Sequence, residues 1–531
     1  MATDLGAGYL ELVRRGHLAG RSGELQLVLQ PYSSSNYPFE SRSLVPGDPR
    51  TSHAAPWLYL ERVPIAVFSP SLVTPGVRDD PVTLADLAPT TAQMLGLDFS
   101  AADGEPLPGV DRATVRPKIV VTFVIDGGGW NVLQHWTREG ASDPWPNLRQ
   151  LFGRSLVFRN AIMGSFPAVT ACAHATIGTG GFPRAHGITG HYLRRNGHRT
   201  TAYGKLGEAD PTFLLRPTLA DAWSRETNGE AWIGEIGYQI WHLGMIGRGG
   251  GSTARLPVAA YFDEANQTWS SQNPDLYRLP DGTPPAASLA ALRAAYVDPG
   301  IDTQFDPTGV AVACCSPPIV HHEGDLIRAV FDHEPVGRTG TTSLLYINFK
   351  APDYTGHVYG MASEREAIAL AAVDQELGAL VQLLEARFSP GEFVLFVTAD
   401  HGQCPPVDAS GGVRLDPIQL AADIESLHAS KGTTVVESVV PSEVYLSETA
   451  MTRVGTSAPQ IASALRDYRY KDSIGSYIPH AAISEDRLNQ RVFGALLPGT
   501  FIDGLAGVDL SSYGEGAFAD ADPNGLAPRI W

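Results

Sequence analysis

The sequence predicts an α/β fold around a mostly parallel sheet, and three observations carry that prediction. Five short apolar runs recur along the chain: GELQLVLQ (23–30), VPIAVFS (63–69), KIVVTFVI (118–125), SLLYINF (343–349) and EFVLFVT (392–398). They are rich in β-branched residues and run continuously apolar, as strands covered on both faces do. Helical patterns lie between some of them, and strands alternating with helices imply a sheet sandwiched by helices. Three of the runs are followed within four residues by an aspartate.

Each element has a local reason. LADLAPTTAQMLG (84–96) contains Pro89, so its helix is expected to begin near that residue. SEREAIALAAVDQELGALVQLLEARF (363–388) is the clearest helix, with Ser363 as N-cap and apolar residues at helical spacing. Residues 245–310 are rich in Gly, Pro, Ser and Asn and read as a cap-like insertion with little regular structure. Residues 433–495 mix the strand-like TTVVESVV with the helical APQIASALRDY and read as a small accessory subdomain; from 496 the tail reads as loop.

Composition narrows the function classes. The chain has 531 residues and a net charge of -18, which argues against a nucleic-acid scaffold, because the phosphate backbone would repel the bulk surface. A local cationic site for a small phosphate ester remains open. The four cysteines, Cys172, Cys314, Cys315 and Cys404, form no C-x-x-C pair. The start lacks a basic region followed by an apolar one, and no apolar run reaches the ~18 residues of a membrane span. The expectation is a cytoplasmic protein without a membrane partner; the sequence is silent on oligomeric state.

The placement of acids carries the chemistry. Asp126 directly follows the run 118–125, Asp353 lies just past 343–349 with His357 four residues on, and Asp400-His401 ends 392–398. In an open α/β sheet, ligands bind beyond the carboxyl ends of the strands. Three strands would therefore deliver carboxylates, and two of them imidazoles, to one edge. Unpaired, those acids repel one another; divalent cations resolve that, and carboxylate oxygen with imidazole nitrogen suits zinc, with manganese or iron also accepted.

GSFPAVTACAHATIGTGGFPRAHGITGH (164–191) is dense in hydroxyls and small residues. A hydroxyl needs a base or metal to become a nucleophile, and small neighbours let a helix N-terminus approach a phosphoryl group. Composition does not choose among Ser165, Thr170 and Thr176.

The motifs together resemble the alkaline phosphatase superfamily, and within it the nucleotide pyrophosphatase/phosphodiesterase group with a threonine nucleophile. The family pattern T-x-x-x-H-x-[ST]-x-x-T-G is matched by Thr170 to Gly180, followed by His186-Gly187-Ile188. The strand-D-G opening (Asp126), D-x-x-x-H-x-x-G (Asp353, His357, Gly360) and strand-A-D-H-G (Asp400, His401, Gly402) follow in the family's order over residues 118–402. The resemblance implies an alkaline-phosphatase-like sandwich and selects Thr170 as nucleophile. It implies two divalent metal ions, zinc foremost: one on Asp126, Asp400 and His401, the other on Asp353, His357 and one further His.

In the family that last His follows the D-H-G motif. After residue 402 this chain has only His428 and His480, neither in matching surroundings. The family's closing segment instead resembles residues 23–97, with a S-H-A-A-P stretch at His53. The chain is thus expected to be circularly permuted, with His53 as the sixth ligand and His480 as the alternative. Permutation is tolerable where natural ends lie close together at the surface. This reading divides the chain into 1–110, the permuted part of the catalytic domain, 111–432, the main catalytic domain, and 433–531, the accessory subdomain with its tail.

Monoesterase relatives meet the extra phosphate charge with a Lys-x-Arg pair, which the stretch 231–250 lacks. Diesterase relatives place an Asn where this chain has His191, a residue able to donate a hydrogen bond to a phosphoryl oxygen. The reading tilts toward a phosphodiesterase or nucleotide pyrophosphatase on a small substrate such as a nucleotide; a phosphomonoesterase or phosphonate hydrolase is the alternative, and a non-catalytic metal-binding member a third. Cys172 lacks the C-x-P-x-R context that a sulfatase needs.

Overall fold

Ile119–Ile125 is seven apolar or β-branched residues without a break, and all seven are buried, so it takes a central place in a sheet covered on both sides. The computed structural model describes residues 5–35, 52–113, 115–137, 143–205, 207–250, 256–295, 316–405, 410–428, 432–473 and 483–513. Its main sheet has nine strands: Ile65–Phe68 (β1), Gly76–Arg78 (β2), Ile119–Ile125 (β3), Leu156–Phe158 (β4), Ile233–Gly237 (β5), Val258–Asp263 (β6), Thr268–Ser270 (β7), Ser343–Phe349 (β8) and Phe393–Ala399 (β9). Their order is β7-β6-β5-β8-β3-β9-β1-β4-β2. The run from β6 to β9 is parallel throughout. Antiparallel pairs flank that run, β6 with β7 on one side and β9 with β1 and β1 with β4 on the other, and the last pair, β4 with β2, is parallel.

Alternate residues of the central strands feed two separate cores. Val120, Val124, Leu344, Tyr346, Val394 and Phe396 face one; Val121, Phe123, Leu345, Ile347, Leu395 and Val397 face the other. That is the period-two division of a doubly covered sheet. On the first face lie Leu87–Leu95 (α1) and Thr170–Thr179 (α2); on the second lie Pro317–His333 (α3), Ala351–Tyr359 (α4) and Glu364–Arg387 (α5). Ser363 caps α5 by accepting from the Glu366 amide, as its sequence implies. The most apolar 18 residues of α5 have a mean hydropathy of 1.5, yet its buried side is packed against α3 and α4 as a core helix.

Three expectations change. Residues 258–270 are not part of a cap: β6 and β7 extend the main sheet, because Val258–Phe262 is a short unbroken apolar run that the surrounding Gly, Pro and Asn obscure. Leu25–Leu29 does not join the main sheet. It pairs antiparallel with Glu443–Leu446 and Phe493–Pro498 in a four-stranded accessory sheet with its own core. The tail is not all loop, since Phe493–Pro498 is that sheet's edge strand and Gly499–Asp503 a helical turn.

Candidate active site

Strand register brings the acids together. Ile119 is paired with both Ser343 and Phe393, and Ile125 with both Phe349 and Ala399, so β3, β8 and β9 end level. Asp126, Lys350 and Asp400 each follow the last residue of one strand. Gly127 turns the chain at φ 70°, and a Cβ there would meet Gln403 Nε2 at 2.9 Å and the Cα of Asp353 at 3.0 Å. Only glycine fits both the turn and the approach.

Two carboxylate–imidazole clusters result. In the first, His53 Nε2 and His357 Nε2 each lie 3.4 Å from Asp353 Oδ1. The His53 ring stacks on His401 with centroids 3.6 Å apart, and its Nδ1 is 2.6 Å from the Ala168 carbonyl, leaving Nε2 to face the carboxylate. In the second, His401 Nε2 lies 3.1 Å from Asp400 Oδ2 and 3.8 Å from Asp126 Oδ1. His401 Nδ1 and the Gly402 carbonyl are 3.0 Å apart, which aims Nε2 inward. All six expected ligands, His53 included, meet at the ends of three adjacent strands. His480 lies outside the described residues, and His428 follows the helix Pro417–Ser426, which was expected in the main domain but packs Leu420 and Ile424 into the accessory core.

The donors fit divalent ions. Asp353 Oδ1 and Asp400 Oδ2 are buried and accept no hydrogen bond, although imidazole nitrogens stand beside them. Four ligands ~2.1 Å from a tetrahedral ion lie ~3.4 Å from one another, and the separations of 3.1 to 3.8 Å bracket that value. Carboxylate oxygen with imidazole nitrogen is a zinc-type donor set.

Thr170 is the first residue of α2 and is fully buried. Its Oγ1 lies 3.5 Å from His401 Nε2 and accepts a 2.9 Å hydrogen bond from Lys350 Nζ. Small residues let α2 come close. A Cβ on Gly178 would strike the Gly244 carbonyl at 2.1 Å, and one on Gly244 would strike the Ala175 backbone at 2.6 Å. The same contact brings the 240–246 segment, with His242, against His174; their rings are 4.7 Å apart.

Sequence reasoning missed Lys350. It is 4 % exposed and donates from one ammonium to Asp126 Oδ1 at 2.8 Å, Asp353 Oδ2 at 2.7 Å and Thr170. The available signal was a lysine directly after a buried strand, three residues before a candidate ligand. His242 and Asn348 were also missed. The Asn348 amide donates to Asp126 Oδ2 at 3.0 Å and to His174 Nε2 at 2.8 Å. His191 lies at the margin of the site with its ring 4.8 Å from that of Trp241.

The electrostatics of the site follow from burial and crowding. Burial and the neighbouring Asp400 push the Asp126 carboxyl up to about 7. Burial lowers His401, but the Asp400 carboxylate outweighs it and raises the imidazole to about 9. Burial opposes the Lys350 ammonium too, and Asp126 and Asp353 raise it above its ordinary value. His191 falls to about 3 through burial and the Lys350 charge, so it is neutral near pH 7. Cys172 is an inert core thiol: its Sγ donates to the Ile188 carbonyl at 3.3 Å, and burial holds its pKa well above 9.

A family model described as type I phosphodiesterase / nucleotide pyrophosphatase matches residues 120–471, about two thirds of the chain. The chain belongs to that family. Within the wider alkaline phosphatase superfamily it is similar to alkaline phosphatase PhoV of Synechococcus elongatus, with 24% identity over 344 residues, covering 56% of this chain and 61% of that protein. Alkaline phosphatase PafA of Elizabethkingia meningoseptica is 20% identical over 337 residues, covering 55% and 61%. Alkaline phosphatase PhoK of a Sphingomonas species is 28% identical over 145 residues, 24% of this chain and 26% of that protein. In sequence the chain thus matches at most about three fifths of the length of these relatives. The crystal structure of PafA shares the fold, with a TM-score of 0.51 at 16% identity over 72% of this chain and 85% of that one.

Proposed function

We propose that this member of a phosphate-ester hydrolase family acts through Thr170, and that the observation carrying the proposal is the position of its Oγ1. That oxygen lies 3.5 Å from His401 of one cluster and accepts from the Lys350 ammonium that also reaches Asp126 and Asp353, one acid of each cluster, at a helix N-terminus whose free N–H groups favour an anion. Asp126, Asp400 and His401 would hold one divalent ion, and Asp353, His357 and His53 a second. When bound, such ions supply Lewis-acid charge, easing ionisation of the hydroxyl and neutralising the phosphoryl oxygens.

The chain's own groups have definite tasks. The Lys350 ammonium donates to Thr170 Oγ1 and favours its ionised form. Thr170 Oγ1 then forms a bond to phosphorus as the bond to the leaving alkoxide breaks. Water displaces Thr170 from the phospho-threonine in a second step, releasing phosphate or its monoester and returning the hydroxyl. His191, neutral at the margin, donates a hydrogen bond to a phosphoryl oxygen.

Diesters, including nucleotide-type substrates, are the first reading, because the cationic Lys-x-Arg pair is missing from residues 231–250. Lys350 favours a second reading. It adds one positive charge beside the nucleophile, which suits the extra negative charge of a monoester, and PhoV, PafA and PhoK, to which the chain is similar, are alkaline phosphatases. Circular permutation belongs to the same proposal. It is supported by β1 pairing with β9, by α1 packing on α2, and by His53 reaching the site from ahead of the segment that the family model matches.

Acid-quenching a single turnover and mapping the modified peptide tests the mechanism. Phosphate on Thr170 is the expected result. Turnover with phosphate on Ser165, or with no protein-bound phosphate, would overturn it.

A further inference from the structure

Glu366 is the third residue after the cap of α5, in a Ser-Glu-Arg-Glu start. A glutamate there ordinarily reaches back to the N–H of the capping residue. In this chain the Ser363 N–H donates to the Gly360 carbonyl at 3.0 Å, and Glu366 turns inward instead. Its side chain is fully buried, and Oε1 accepts from Gln403 Nε2 at 3.0 Å.

Gln403 stands where the three ligand-bearing loops converge. It lies two residues after His401, and its Nε2 also donates to the carbonyl of Pro352, next to Asp353, at 3.1 Å. Asn131, on the helix Trp130–Trp136 that follows the Asp126 loop, grips the Gln403 backbone. Its NH2 donates to the Gln403 carbonyl at 2.6 Å, and its oxygen accepts from the Gln403 N–H at 3.4 Å. The side-chain amide of Gln403 fills a slot between two glycines. A Cβ on Gly127, next to Asp126, would meet its Nε2 at 2.9 Å, and one on Gly356, next to His357, its Oε1 at 1.7 Å.

Two oxygens at this junction are buried without a donor, Glu366 Oε2 and Gln403 Oε1. Turning the carboxamide over would not help, because the Pro352 carbonyl needs the NH2 beside it. No cation is among the described groups that act on Glu366. Burial raises its carboxyl well above the ordinary range, the Gln403 donor opposes that, and the Asp353 carboxylate adds to it. A single proton on Glu366 Oε2 satisfies both bare oxygens, by donating to Gln403 Oε1 alongside the bond already present.

We propose that Glu366 and Gln403 form a neutral acid–amide pair, joined by two hydrogen bonds, which wedges the three loops at the spacing the two metal clusters need. Both are positioning residues, acting through the backbone beside Asp126, Asp353, His357 and His401. This role rests on the two-metal reading. A glutamate that only capped α5 would leave the Gln403 contact and both bare oxygens unexplained. Groups that hold metal ligands in place in this way carry roughly 10- to 100-fold in metal affinity or rate.

Infrared difference spectra and zinc titration of the full chain test the pair. Subtracting the spectrum of Glu366→Gln from that of the wild type, both metal-free at neutral pH, should leave the C=O stretching band of a protonated carboxyl group. Glu366→Gln keeps the shape and the second bond, since its NH2 donates where the acid O–H did, and should hold zinc within about threefold of wild type. Gln403→Leu and Glu366→Leu should each lose roughly 10- to 100-fold in zinc affinity or in kcat, with KM within about threefold. A missing band overturns the acid–amide pair. Wild-type zinc affinity and kcat in both Leu variants overturn the positioning role. Should the Leu variants fail to fold, Glu366→Gln decides: a hold on zinc weaker by roughly tenfold or more refutes the pair, and an unchanged one with the band lost supports it. Fewer than two ions in the wild type removes the two-metal reading and the positioning role with it, while the band still reports the pair.

Discussion

Replacing Lys350 by Met keeps most of the side chain's length and removes its charge. The ammonium stands 2.9 Å from Thr170 Oγ1 and is buried, so solvent screens it little. A unit charge ~4 Å from a phosphoryl oxygen contributes ~4 kcal/mol at an effective dielectric of 20. Asp126 and Asp353 already offset part of that charge, at 2.8 and 2.7 Å. The net effect should approach that of one charge-assisted hydrogen bond, ~1.5–3 kcal/mol, or roughly 10- to 150-fold in rate. The loss should fall mainly on the substrate with the greater charge. Expected is a 10- to 150-fold fall in kcat/KM for p-nitrophenyl phosphate and less than about threefold for bis-p-nitrophenyl phosphate. Both proteins are assayed after metal reconstitution, with metal content measured alongside. An equal loss on both esters at equal metal content would refute the charge argument and make Lys350 a scaffold for the two carboxylates.

Thr170→Ala should abolish turnover with metal content and melting temperature near wild type, whereas Thr170→Ser should keep measurable rate; comparable rates in the Ala variant would remove Thr170 from the mechanism. His53→Asn should lose one bound ion and most activity, and retention of both would leave the front segment as scaffold only. Glu235, on β5, accepts from the Tyr261 hydroxyl at 2.6 Å, and burial raises it to about 8. Its unfolded value of 4.5 is lower, so stability falls as pH rises from 4.5 through 8, by at most ~5 kcal/mol. Glu235→Gln should therefore melt close to wild type at pH 5 and clearly higher at pH 8.5; parallel melting curves against pH would contradict that assignment.

Much of the site was legible because strand-end acids sit at fixed offsets from unmistakable apolar runs. Asp126, Asp353 and Asp400 needed only β3, β8 and β9 to be recognised as strands, and level register did the rest. His53 needed the resemblance to a family segment, since nothing local marks it. Lys350, His242 and Asn348 were harder. Lysine near a surface turn is ordinarily solvated, and its burial depends on two acids more than two hundred residues from each other in the chain. His242 owes its place to the close approach of Gly178 and Gly244, a packing event between distant segments. Strand β6 was hidden by its neighbours' composition, and Leu25–Leu29 was read correctly as a strand but paired in the other sheet.

That misassigned strand has a consequence for synthesis. Gln26 of the accessory sheet faces Glu443, 417 residues later, and β1 is joined to the central parallel strands through β9. Chains emerge at ~5–20 residues per second, so the first apolar strand waits on the order of 20–80 s for its partner. During that interval LQLVL is an unpaired, uncharged segment open to wrong pairing, and His53 waits 300 residues for Asp353. A nascent chain of this protein should therefore depend on a holding chaperone more than one whose first strands pair with each other, and slower translation should lower its soluble yield.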